Sequence, residues 1–260
     1  MNIKDQLHRK LLFDKPPKRI ISLVPSQTEL LFDLGLKKEV VGITKFCIHP
    51  KEWYANKVRI GGTKNVNFKE IKRLKPDLII ANKEENTESE IKALMKDYPV
   101  WVSDIQNLED ALKMIQLIGE ITDKISQSKK IISKIEKNFK QLKKKTSKRV
   151  AYFIWQKPMM SINKTRFIHD MISRCGFANV FADNVDTYPE ISHKELALSD
   201  PEIIFLSSEP FPFNEKHKKS FKEICPDAKI FLVDGEMFSW YGSRLTNTPF
   251  YLQKLIQTIS

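Results

Sequence analysis

Residues 122–145 read TDKISQSKKIISKIEKNFKQLKKK, and the spacing of their apolar side chains decides how the rest of the chain is divided. With Ile121 just ahead of them, Ile125, Ile132, Ile135, Phe139 and Leu142 fall at steps of three, four and seven, along one side of a 3.6-residue helix. Neither Pro nor Gly interrupts the stretch, so the spacing predicts one long amphipathic helix, roughly 36 Å at about 1.5 Å per residue. Its two flanks look alike. Each opens with a basic pair and a β-rich run, Lys18-Arg19 before IISLV and Lys148-Arg149 before VAYFIW. Each later carries a Pro-acid pair and an aliphatic run, KPDLII at 75–80 and DPEIIF at 200–205. The expected fold is α/β: two Rossmann-like lobes, residues 1–120 and 147–260, each with a mainly parallel sheet, joined by a rigid linking helix over 121–146.

A chain of 260 residues is long enough for two modest cores. Its 41% hydrophobic and 29% charged residues are ordinary for a globular protein. No apolar run approaches the roughly 20 residues that cross a bilayer. Residues 1–18 scatter their charges and hold no apolar segment of a secretory signal's length. The formal charge is +12, and residues 123–149 hold eleven Lys or Arg against Asp123 and Glu136. This excess reads as the solvated face of the helix, since nucleic-acid contact would more usually bring several aromatics or glycines among the basic residues, or a known module. Cys47, Cys175 and Cys225 are far apart, with no CxxC spacing, and Cys175 and Cys225 read as small buried hydrophobes.

In the first lobe the strands are expected at 20–24, 40–43, 78–81 and 100–102, with helices at 27–34, 68–74, 90–96 and 108–119. Ser26-Gln27-Thr28-Glu29 fits a capping box, Gly35 a helix stop, and Asn67 and Asn107 the caps of later helices. The second lobe repeats the plan: strands at 150–155, 203–206 and 230–233; helices at 167–175, 193–198, 216–224 and 247–260. Ser192 with Glu195 gives a second capping box.

No GxSxG, GxxxxGK[ST], HExxH or GxGxxG is present, and the five histidines do not pair at helical or finger spacing. Nothing argues for an enzyme, and no catalytic cofactor is called for. What stands out is aromatic, Met and Pro-bearing loops at strand ends: 46–53 with Phe46 and Trp53, Trp155 to Met160, Tyr188, and Phe238, Trp240 and Tyr241 with Arg244. Ligands in open α/β sheets sit at the carboxyl ends of strands, so these loops are expected to line a groove between the lobes. Arg244 and Lys64 suit an anionic chelate. Cys47 and His49, two residues apart, either pack structurally or contact a soft metal, two ligands being fewer than a closed site needs.

The order of RIISLVPSQTELLFDLG, VVGIT, GGTKNVNFKEIKRLKPDLIIA, the long helix and EISHKELALSDPEIIFL resembles the helical-backbone substrate-binding proteins of ABC importers, and does so from Arg19 to about Leu255. That family binds cobalamin, haem or ferric siderophores, and the resemblance is strongest to its vitamin B12-binding branch. It implies ligand contacts near Phe46, Met160 and Tyr188 and in the segment from Glu236 to Arg244, with a further contact position, a tryptophan in that branch, occupied here by Lys64. It implies delivery to an ABC permease with its ATPase subunits, through one exposed carboxylate on each lobe. Glu70 matches the first. At the second, Lys194 occupies the usual acid position and Glu195 follows it. The resemblance implies a monomer outside the cytoplasmic membrane. The alternative is an intracellular metal-cofactor enzyme or chaperone on the same two-lobed plan.

Overall fold

The three residues of β3 (Ile20–Ser22), two isoleucines and a serine, are all buried and sit at the centre of the first sheet. The computed structural model describes residues 2–143 and 147–259. The chain divides into two units. Unit 1 comprises the residues up to Ile105, then Glu109–Lys137 and Tyr241–Thr246. It opens with a small antiparallel pair, β1 (Asn2–Lys4) and β2 (Lys10–Leu12). A five-stranded parallel sheet follows, adding β4 (Val40–Ile43), β5 (Val58–Arg59), β6 (Leu78–Asn82) and β7 (Val100–Ser103) to β3 in the order β5-β4-β3-β6-β7. Chain order reverses direction at β3, so the edge beyond β3 and β6 is a topological switch point.

The connecting helices are α1 (Pro25–Asp33), α2 (Lys51–Asn56), α3 (Phe68–Leu74) and α4 (Glu88–Leu94). Two expectations are corrected here. The capping box at 26–29 does not form: α1 starts at Pro25, with Val24 as N-cap, because Pro carries the φ of a first helical residue and lacks the N–H that a cap would satisfy. The loop 44–53 ends early, since α2 begins at Lys51 and turns Trp53 into the core, edge-on to Phe32 at 5.3 Å.

The long helix of residues 122–145 is also corrected. It is shorter: α6 (Ile125–Lys140), set off by a turn at 122–124 from α5 (Leu108–Ile121), the helix expected at 108–119. Asp123 adopts φ +57, the left-handed region that Asp tolerates, and the N–H of Lys124 closes on the Gly119 carbonyl at 2.7 Å. A Cβ on Gly119 would lie 2.2 Å from Ser128 Oγ, so glycine lets the two helices approach. Residues 141–143 follow α6 as turn and coil, and residues 144–146 lie outside the described residues.

Unit 2 comprises Gln106–Leu108, Asn138–Trp240 and Asn247–Ser260. Its sheet is parallel, with β8 (Arg149–Phe153), β9 (Ala178–Asn179), β10 (Ile203–Ser207) and β11 (Lys229–Val233) in the order β11-β10-β8-β9. Around it lie α7 (Phe167–Arg174), α8 (His193–Leu198), α9 (Glu215–Ile224), α10 (Glu236–Ser239) and α11 (Thr248–Ile259). Phe153 meets Phe221 at 4.9 Å and Phe181 at 6.2 Å inside one apolar cluster. The first N–H of α5, on Leu108, is satisfied by Asp170 of α7 at 2.8 Å. The protein is thus two α/β lobes linked by helical segments, as the sequence predicts.

Candidate ligand-binding loops

In unit 1 the loop after β4 is organised by its cysteine. Cys47 Sγ lies 3.1 Å from the hydroxyls of both Thr28 and Thr44, and its N–H reaches the Thr44 carbonyl at 3.2 Å. Burial pushes its thiol up from the ordinary value, so the ionised form that binds metals is disfavoured. With Cys47 turned in, its neighbours Phe46 and Ile48 turn out, and Phe46 is 51% exposed. His49, two residues on, is half-buried. Among the described residues no group of three or more His, Cys, Asp or Glu is placed to hold a metal ion.

The loop after β5 supports Phe46. Gly61 has φ +98, and a Cβ there would lie 2.4 Å from the Asn65 carbonyl, a turn that only glycine makes cheaply. The Gly61 carbonyl accepts from the Lys45 N–H at 2.8 Å, tying the two loops together. The Phe46 ring rests against Gly62, where a Cβ would come within 3.3 Å of Cε2, and Lys45 Nζ sits 5.1 Å from the ring centroid. Lys64 is exposed on the same loop. Asn86, in the loop after β6, fastens the Thr63 carbonyl at 2.9 Å.

Arg244 is placed otherwise than as a free cation for an anionic ligand. It donates through Nε and Nη2 to both carboxylate oxygens of Glu29 on α1, at 2.9 and 2.8 Å. Tyr241 donates its hydroxyl to Glu85 and is only 7% exposed. Residues 241–246 therefore form a strap on unit 1, anchored by Glu29 and Glu85, and nothing in the sequence pairs either acid with this segment.

Unit 2 brings several expected residues together. After β8 the chain turns back on itself: Trp155 and Met160 bridge, and Met160 bridges in turn to Glu190. Ser161 N–H meets the Pro189 carbonyl at 3.0 Å, which seats Tyr188 beside this turn. Trp155 and Tyr188 are each 39% exposed. The Trp155 indole is held by a bond to the Lys157 carbonyl at 3.0 Å and packs edge-on against Phe211 at 5.6 Å. Arg166 stands over the Tyr188 ring at 5.8 Å. Phe211 escapes the sequence reading, although its setting in EPFPF after β10 is the kind of aromatic strand-end loop that singled out the others.

The aromatic segment after β11 lies deeper. Phe238 is fully buried, with Tyr152 at 5.2 Å and Tyr251 at 6.2 Å. Trp240 is 7% exposed. Its indole N–H and the Ser239 hydroxyl both donate to Glu209 Oε1, at 2.9 and 2.7 Å. Burial, with Glu236 and Asp234 nearby, raises the Glu209 carboxyl above its ordinary value against the lowering effect of these two bonds. Glu236 opens α10, its N–H on Asp234 at 3.0 Å.

The two carboxylates expected to dock lie on helix first turns. Glu70 sits behind the Asn67 cap and pairs with Arg73 at 2.8 Å, which lowers its carboxyl. Glu195 closes the capping box on Ser192, taking its N–H at 2.8 Å and its hydroxyl at 2.6 Å, and these bonds lower its carboxyl too. Lys194 is exposed beside it.

The sequence profile described as periplasmic binding protein matches residues 20–224. A vitamin B12-binding protein of Vibrio parahaemolyticus is 27% identical over 199 residues, 75% of this chain and 72% of its own. The crystal structure of the periplasmic vitamin B12-binding protein BtuF of Vibrio cholerae superposes with a TM-score of 0.82 at 20% identity, covering 94% of this chain and 98% of that one. The periplasmic haem-binding protein HutB of Vibrio cholerae superposes with 0.77 at 16% identity, over 92% and 98%.

Proposed function

The chain belongs to the periplasmic binding protein family, and from that premise we propose that its ligand is cobalamin, captured for an ABC importer. Members of this family are receptors and not enzymes; this chain is an extracytoplasmic binding protein that takes a metal complex and delivers it to a permease. The finer choice of cobalamin rests on the similarity to vitamin B12-binding proteins in sequence and on one feature of the site. That feature is the pair of exposed rings Trp155 and Tyr188 in unit 2, with the half-buried Met160 on the same turn; unit 1, taken by itself, exposes Phe46. Flat, polarisable and only modestly charged surfaces suit the face of a large macrocycle. Lys64 adds a cation for a phosphate or carboxylate at the ligand's edge. Haem and ferric siderophores share this chemistry and are the competing cargoes. Delivery proceeds from a monomer, with Glu70 and Glu195 facing cationic pockets on the permease.

Tryptophan fluorescence titration separates the three cargoes. Trp155 is the one tryptophan with more than a third of its surface exposed, so its emission should be quenched saturably by the true ligand. Cobalamin should do so at micromolar or lower concentration, haemin and ferric siderophores only at higher ones. Saturable quenching by haemin or a siderophore alone would replace cobalamin as the cargo; absence of binding by all three would remove the metal-complex assignment.

A further inference from the structure

One side of α6 carries only lysine and serine. Ser126, Lys129, Lys130, Ser133, Lys134 and Lys137 line one open surface, and all six are exposed. At about 100° per residue they fall within an arc of roughly 140°. The opposite side holds buried Ser128 and Ile135. The fold explains the apolar side but leaves the basic side unexplained.

A helix face that only meets water is usually a mixture of signs, because Glu and Lys three or four residues apart stabilise a helix whereas like charges there destabilise it. Here Lys130 and Lys134 are four apart, Lys134 and Lys137 three apart, and none of the four lysines has an acid at either spacing. The first turn of α6 has no acid either. Concentrated repulsion of this kind is relieved when an anionic surface lies against it. The face is straight, one-sided and built of flexible ammonium groups. It contains no aromatic to stack on a base and no Arg to fork a phosphodiester, the groups that nucleic-acid recognition would bring. Point-like ammonium charges in a row fit a fluid array of lipid phosphates, which adjusts to them.

We propose that the Lys/Ser face of α6 adsorbs to the anionic phospholipid surface of the membrane that holds the permease. This confines the receptor to two dimensions near its transporter without an apolar insertion. The choice of membrane rests on the receptor assignment; the adsorption itself does not involve the ligand.

Co-sedimentation with vesicles of phosphatidylcholine alone, or containing phosphatidylglycerol, tests it on the full chain. Binding should require phosphatidylglycerol and fall steeply as salt is raised. A variant with Lys129, Lys130, Lys134 and Lys137 all changed to Gln should lose at least about tenfold in partition coefficient. A control with Lys69, Lys72, Lys216 and Lys219 changed to Gln has the same net charge and should bind within about twofold of the parent. Circular dichroism and cobalamin titration verify that both variants are folded. Equal losses in the two variants, or equal binding to neutral vesicles, would overturn the proposal. So would tighter binding to duplex DNA than to anionic vesicles, which would assign the face to nucleic acid. Ligand binding that survives such a result would leave the receptor assignment standing.

Discussion

Arg244 grips Glu29 across 215 residues of sequence with two parallel hydrogen bonds, and their side chains are only 12% and 20% exposed. A bidentate fork at low exposure fixes geometry as well as charge. Removing the guanidinium leaves a largely buried carboxylate with lost partners. Arg244→Ala is expected to lower unfolding free energy by about 1–3 kcal/mol, and Arg244→Lys to recover only part of it. A double-mutant cycle with Glu29→Gln in urea should give a coupling of about 1 kcal/mol or more; additivity would show that the fork contributes nothing.

Phe46 and Phe238 are chemically alike and oppositely placed. Phe46→Ala should leave stability within about 0.5 kcal/mol and weaken cobalamin binding by roughly tenfold. Phe238→Ala should cost about 3–5 kcal/mol of stability. The two measurements, calorimetry and titration, should therefore rank the variants in opposite orders, and the same order in both would contradict the assignment of Phe46 to the ligand surface.

Glu209 makes a pH dependence with a definite sign. Its folded carboxyl is raised above the ordinary value, so the native state holds the proton more tightly than the unfolded chain does. The cost of burying its charge is absent below the unfolded pKa and grows as pH rises through the folded one. Glu209→Gln keeps an acceptor for Trp240 and Ser239 but carries no charge. Its Tm should gain on the parent's as pH climbs from about 4 towards neutrality; a difference that stays flat with pH would refute the burial cost.

Glu195 has two roles that mutation can separate. As the reciprocal cap of Ser192 it stabilises α8, so Ser192→Ala should cost about 1 kcal/mol without altering delivery. As a docking charge it should matter to the permease, so Glu195→Gln and Glu70→Gln should each reduce receptor-stimulated ATPase activity of the reconstituted transporter. Full stimulation by the double variant would remove both residues from docking.

Much of the fold is legible in the sequence because its signals are local. Asn67 and Ser192 cap where their side chains predict, and the aliphatic runs at 78–80 and 203–206 are buried parallel strands. The helix over 122–145 is read too long because apolar spacing continues from Ile121 through the turn that separates α5 from α6. A three-residue turn at Asp123 leaves the period of its neighbours intact, and only the φ of one Asp and the close approach at Gly119 mark it. Residues 26–29 mislead because Pro25 competes with Ser26 for the helix start and wins. In the site, the turn joining Trp155 to Met160 is local and readable. Which aromatics face outward is not. Phe238 and Trp240 differ from Trp155 only in what the strands of unit 2 lay against them, and Arg244 is claimed by an acid from the far end of the chain.

That far-end claim also sets a schedule. Unit 1 draws its last piece, Tyr241–Thr246, from close to the C-terminus. During vectorial synthesis, domains fold as their residues emerge. Here the first sheet can assemble early, but α1 meets Arg244 only when nearly the whole polypeptide has been made. Until then Glu29 and Glu85 wait without the strap. Neither half of this protein is complete until the C-terminal end has been made, and a chain cut short before residue 241 lacks the strap of the first and α11 of the second.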